Sequence, residues 1–213
     1  MSKLIFVDTE TTGISRKTER ILEVACIEVD NRHRTGRQLH QYINPEKAVE
    51  AGAFKVHGIS WEKVKHEPVF ADVAESIIDM LKGGVFVAHN APFDMGFLNE
   101  EFKRAGFDFQ IGRDVEVLDT LKLAKEMYPG QKNSLDALCN RLSIDRSSRV
   151  LHGALLDTEL LIQVYIAMTQ KQERFAYAGK KDQHKSLRPV SYHACVLDDD
   201  EARAHDEYIS ALR

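Results

Sequence analysis

The sequence predicts an α/β fold: a mixed sheet flanked by helices, with a flexible C-terminal extension. Three observations predict it. Three stretches of strand character come first, followed by a helical stretch, a buried-looking strand and several more helices, an order that suits helices packed on one sheet. The 213 residues are 43% hydrophobic, which suits one compact domain of about 170 residues plus an extension. Composition then changes after Met168, where "TQKQERFAYAGKKDQHKSLRP" is polar and has little periodicity.

The elements follow in order. "KLIFVDTE", "RILEVACIEVD" and "RQLHQYINP" read as strands, and the polar "NRHRTGR" between the last two as a hairpin connection. "FADVAESIIDMLKG" places Val73, Ile77, Met80 and Leu81 at helical spacing and closes on Gly83. "GVFVAHN" reads as a buried strand, and "APFDMGFLNEEFKRAG" as a helix with Pro92 near its start and Gly106 at its end. "LDTLKLAKEMYPG" and "NSLDALCNRL" predict two further helices, and "GALLDTELLIQVYIAM" a long final one. The expected organisation is a domain over 1–170, a linker over 171–189 and a tail over 190–213, where "VLDDDEARAHDEYISALR" recovers helical character.

The net charge of −4 gives no bulk basic field, so any contact with nucleic acid must be local. Cys26, Cys139 and Cys195 are far apart in sequence and odd in number, which fits a reducing compartment better than a disulfide framework. No stretch approaches 18 apolar residues, so the sequence predicts a soluble cytoplasmic protein that does not engage the membrane.

The chemistry-bearing residues sit at element boundaries. In "VDTETTG", Asp8 and Glu10 lie two apart at the end of a strand and point the same way. Close carboxylates repel unless a cation compensates; taken alone, the pair is equally two solvated acids at a strand end. "HNAPFDMGFL" places Asp94 in the first turn of a helix after a buried strand, where sheet enzymes often set their sites, although an acid there also complements the helix dipole. "HGALLDTELL" places His152 before a helix and Asp157 in its second turn, and a loop-borne His152 can swing toward the same pocket. Thr11, Thr12 and Gly13 follow the first acids, either to meet a terminal nucleotide or simply to form a turn with glycine freedom. Asp119 and Asp136 read as helical acids with solvated or capping roles, and Trp61 and Tyr42 as packing residues.

"VDTETTG", "HNAPFD" and "HGALLD", in this order and spacing, resemble the three motifs of the DEDDh family of 3′–5′ exonucleases. With "VHGI", "NSLDALC" and "LHGALLDTELL", residues 3 to 170 are similar to that family's branch of epsilon proofreading subunits of bacterial DNA polymerase III. The resemblance implies the ribonuclease H-like fold, Asp8, Glu10, Asp94 and Asp157 as metal ligands and His152 as general base. It also implies that His57 contacts the terminal nucleotide, and that Asp8, Glu10 and Asp157 join it in holding the substrate. Relatives often carry an acid where this chain has Gly52.

The implied reaction suits these residue types. A phosphodiester is anionic, and two divalent ions about 4 Å apart can hold the attacking and leaving oxygens and neutralise developing charge. Oxygen ligands suit Mg²⁺ or Mn²⁺, and an imidazole, with an ordinary pKa of about 6.5, suits proton acceptance from water. The resemblance further implies DNA 3′ ends as substrate and three protein partners: the polymerase III catalytic subunit through the tail, the sliding clamp, and a small stabilising subunit. "QERFAY" resembles the family's clamp-binding segment, with Gln172, Phe175 and Tyr177 as its anchors. Two competing readings are a free-standing nuclease acting on RNA or oligonucleotides and a non-catalytic replisome adaptor. The tail weighs against the first, and the full set of acids with His152 against the second.

Overall fold

Strand β1 (Lys3–Thr11) lies at the centre of a five-stranded sheet. On one side it pairs antiparallel with β2 (Ile21–Asp30), which pairs antiparallel with the edge strand β3 (His33–Tyr42). On the other side it runs parallel to β4 (Gly84–Ala88), which runs parallel to β5 (Glu116–Asp119). The order is therefore β3-β2-β1-β4-β5, a mixed sheet of the ribonuclease H-like kind. This computed structural model describes residues 3–147 and 151–180, the last ten by backbone alone.

The helices are α1 (Ala51–His57), α2 (Trp61–Val64), α3 (Phe70–Leu81), α4 (Ala91–Arg104), α5 (Thr120–Met127), α6 (Leu135–Leu142) and α7 (Ala154–Lys180). They cover both faces of the sheet, and the alternation along β1 decides what meets what. Ile5 and Val7 join Val24 and Cys26 of β2 in a core with residues of α3 and α4. Phe6, with Ile27, Val29 and Val87, packs against Leu161 and Ile162 of α7. Asp8 and Glu10 continue the Phe6 side, so they emerge under the start of α7. Because β1 and β4 are parallel and adjacent, Asp94, which follows β4, also arrives at this end of the sheet.

The structure departs from the sequence reading at several points. The expected seven-residue hairpin connection is a two-residue turn, Asn31 and Arg32, both at positive φ (47° and 68°). Such a turn matches the strand twist, and the polar residues after it belong to the exposed edge strand β3. The stretch expected as one helix from Leu118 opens instead as β5; Asp119 ends the strand and caps α5, its side chain accepting from Leu121 N. The loop after β3 also holds α1 and α2. Helix α7 runs to Lys180, past the end expected at Met168. Cys26 and Cys139 are buried, and burial pushes the thiol of Cys26 up to about 12. Tyr42 packs as expected, against Leu22, Ile59 and Val64. Contacts divide the chain into Met1–Glu173 and Arg174–Arg213. The expected tail, and residues 181–189 of the expected linker, lie outside the described residues.

Candidate active site

The site is assembled from three chain segments. The register of β1 on β2 shifts between Glu10 and Thr11, an irregularity of the kind that re-aims side chains beside active sites. Asn90 takes the left-handed conformation (φ 71°) and turns the chain from β4 into α4, which carries Asp94 in its first turn. Thr9 fixes that carboxyl from β1: its backbone N–H and its hydroxyl both donate to Asp94 Oδ1, at 3.0 and 2.8 Å. Helix α7 starts at Ala154, so Asp157 falls in its first turn, not the second as the sequence reading had it. His152 stays on the preceding loop, held by its N–H to Val56 O at 3.2 Å.

These segments converge. His152 Nδ1 lies 3.1 Å from Asp157 Oδ2. Glu10, His152 and Asp157 present donor atoms within 4.8 Å of one another. Glu10, Asp94 and Asp157 are buried, while His152 is exposed. Burial, reinforced by the carboxylates of Asp94, Glu10, Asp157 and Glu23, pushes the Asp8 carboxyl well above the usual carboxylate range. Burial likewise raises Asp94 to about 7, against the hydrogen bonds from Thr9. Asp8 and Asp94, whose ionisation is costly, stand beside the group of Glu10, Asp157 and His152, and the four carboxyls form an oxygen-rich donor set suited to a hard divalent cation.

A linkage follows with a definite sign. In an unfolded chain aspartyl carboxyls titrate near ~4. The folded protein holds the Asp94 proton up to about 7. The stabilising contribution of Asp94 is therefore complete below about pH 4 and lost as pH rises through about 7. A bound divalent cation would replace those protons. The melting-temperature increase produced by saturating Mg²⁺, relative to EDTA, is expected to be larger at pH 8 than at pH 5; equal increases at the two pH values would contradict this electrostatic picture.

The remaining candidate residues are placed as follows. His57 ends α1 and is only 5% exposed. Its Nδ1 accepts from Ile59 N at 2.9 Å, so Nε2 carries the proton and donates to Thr11 O at 3.2 Å. Burial lowers its pKa, favouring this neutral form. The Thr11 hydroxyl donates to Gly13 O, and that of Thr12 donates to Glu19 and accepts from Arg20 N. Both threonines are buried. Gly13 has no positive φ; a Cβ there would lie 2.5 Å from Glu50 Oε2, at the end of an exposed side chain, and 2.9 Å from Glu19 Cγ. A Cβ on Gly52 would meet open space. The side chains of Gln172, Phe175 and Tyr177 lie outside the described residues.

The sequence reading missed Glu23. It is 2% exposed and sits on β2 directly opposite Glu10. The available signal was an acid at an inward position of an apolar strand, in step with Ala25, Ile27 and Val29. It also missed the second bond of Asp119, which accepts from Asn90 N at 3.1 Å and so ties the turn before α4 to the start of α5.

Comparison with known proteins identifies the family. Residues 5–165 match the exonuclease family model. The DNA polymerase III epsilon subunit of Pasteurella multocida is 40% identical, covering 99% of this chain and 89% of its own. Those of Salmonella typhimurium and Escherichia coli are 44% and 39% identical, covering 84% and 99% of this chain and 76% and 90% of theirs. Among solved structures, Escherichia coli exonuclease I in a complex with single-stranded DNA superposes with a TM-score of 0.74 at 21% identity, over 84% of this chain and 43% of that one, a likeness of fold. No helix among the described residues is long and apolar enough to cross a membrane. With its motifs converging at one end of the sheet, and with relatives of this similarity along nearly its whole length, the chain belongs to the exonuclease family, in the branch of DNA polymerase III epsilon subunits.

Proposed function

We propose that this chain is the proofreading 3′–5′ exonuclease of a DNA polymerase III, hydrolysing the 3′-terminal phosphodiester of DNA and releasing nucleoside 5′-monophosphates. The observation that carries the reading is the convergence of Asp8, Glu10, Asp94 and Asp157 with His152 bonded to Asp157. Two divalent cations, Mg²⁺ or Mn²⁺, held by the four acids, supply neutralisation of the scissile phosphate and activation of water when bound. His152 takes the proton of the attacking water. With Nδ1–H donating to Asp157, its lone pair is on Nε2, and the bond fixes the ring. Asp8, Glu10 and Asp157 would hold the cations together with Asp94 and so bind the substrate phosphate, whose charge the cations would neutralise. His57, Thr11 and Thr12 act on the terminal nucleotide by shaping the wall beside it, since their polar groups are engaged within the protein.

Proofreading has its own test. A DNA primer with a mismatched 3′ end is expected to lose its terminal nucleotide faster than a fully paired one, and both faster than an RNA primer, because fraying delivers a single-stranded end. RNA degraded faster than DNA would favour the free-standing ribonuclease reading, and no hydrolysis of any substrate the non-catalytic adaptor.

The partners are proposed from the same membership. Gln172 hydrogen-bonds at the rim of a groove on the sliding clamp while Phe175 and Tyr177 fill an apolar pocket. Replacing Gln172 and Phe175 together by alanine is expected to weaken clamp binding with nuclease activity intact; equal clamp affinity would reject the motif. The proposed partner of the tail over 190–213 is the polymerase catalytic subunit; the sequence spacing of Ala202, His205, Tyr208, Ile209 and Leu212 is that of an apolar stripe, which needs a partner surface. Deleting residues 180 to 213 is expected to abolish co-purification with the polymerase while activity on short single strands persists. A large fall in melting temperature with polymerase binding retained would place the tail in the core. A small stabilising subunit completes the assembly.

A further inference from the structure

Glu23 places a carboxylate inside the sheet with both oxygens engaged. His40 Nε2 of the edge strand donates to Oε1 at 2.7 Å. Ala154 N donates to Oε2 at 3.1 Å. Ala154 is the first residue of α7, so this N–H is one of those that a helix start leaves without an intrahelical partner. A carboxylate at that point also meets the positive end of the helix dipole. Glu23 therefore caps α7 from a neighbouring strand, 131 residues away in sequence. The same residue lies opposite Glu10 in the β1–β2 register. One side chain thus links β2, at the residue facing Glu10, to the first turn of α7, which carries Asp157 three residues after Ala154. Its oxygens are turned to protein donors, which separates it from the four acids of the site. A buried acid costs stability unless its oxygens are satisfied, and here one donor comes from the edge strand β3 and the other from the first residue of α7, the helix that carries Asp157.

We infer that Glu23 is a positioning residue: its carboxylate sets the start of α7 against the sheet, and so fixes Asp157 and His152 relative to Glu10. The inference rests on the metal-dependent reading of the site. Groups that orient metal ligands through hydrogen bonds typically change metal affinity or activity by about 10–100-fold when removed. The capping geometry demands reach as well as an acceptor. Glu23→Gln keeps the length and an oxygen for Ala154 N–H, and its NH2 donates to His40 Nε2 once His40 takes its Nδ1–H tautomer. Glu23→Asp keeps the charge but is one methylene too short to span both donors.

The test measures Mn²⁺ affinity by electron spin resonance, and kcat and KM on single-stranded DNA, for the full chain. Glu23→Asp is expected to lose about 10-fold or more in Mn²⁺ affinity and in kcat with little change in KM, while Glu23→Gln stays within about 3-fold of wild type. Should Glu23→Asp fail to fold, Ala154→Pro removes the capped N–H at a helix position where proline is tolerated; because Ala154 is buried, its fold is checked by thermal melting, and the folded protein carries the same expectation. The opposite order, with Gln impaired and Asp unaffected, would show that charge and not position matters and would overturn the inference, as would wild-type values in every variant. Wild-type protein that binds no Mn²⁺ would instead remove the metal-site reading itself.

Discussion

Asp8→Ala and Asp157→Ala are each expected to lose turnover by about 10³-fold or more while the protein stays folded. Loss of a ligand removes several kcal/mol of transition-state charge stabilisation, and about 4 kcal/mol corresponds to that factor. Folding should survive because both residues sit in a cluster under strain: burial and the surrounding acids push Asp8 well above the usual carboxylate range. At pH 8 in EDTA, removing the Asp8 carboxylate relieves repulsion, so the melting temperature should be unchanged or higher. Nuclease assays paired with thermal melts check both halves. A folded Asp8→Ala protein with full activity would exclude the metal site as the seat of the reaction.

His152→Ala is expected to slow hydrolysis by about 10²-fold or more, within the usual scale of general base catalysis. The imidazole is exposed and bonded to Asp157 at 3.1 Å, an arrangement that suits a base oriented by an acid. His152 also falls within the group whose donor atoms lie within 4.8 Å of one another, so ligation is the rival role. The two roles differ in their readout. A base leaves Mn²⁺ affinity nearly intact and takes with it the limb of the pH–rate profile that reports proton acceptance; a ligand loses affinity and keeps the profile's shape. An unchanged rate would remove His152 from the chemistry.

The parts of this protein visible in the sequence are those with strong local signals. The apolar run Leu4–Val7 ending in two acids marks both the central strand and its site, because alternation carries Asp8 and Glu10 onto one face. Asp94 is marked by a buried strand followed at once by a helix start. Short or one-sided elements left no such mark. Strand β5 has four residues and merges into the apolar pattern of α5. Edge strand β3 is largely exposed, so its polar residues read as connection. Glu23 was hidden differently: its acid is visible in "RILEVACIEVD", but its bond to Ala154 joins residues that only the folded sheet brings together. The same holds for Thr9, whose two bonds to Asp94 span 85 residues.

The most direct measurement is the digestion of 5′-labelled single-stranded DNA by the purified chain, with Mg²⁺ and with EDTA. With Mg²⁺ the labelled strand is expected to shorten one nucleotide at a time from its 3′ end, nucleoside 5′-monophosphates accumulating, and with EDTA to stay intact. Digestion that is indifferent to EDTA, or release of the 5′ label as the first product, would contradict a metal-dependent 3′–5′ exonuclease built on Asp8, Glu10, Asp94, Asp157 and His152.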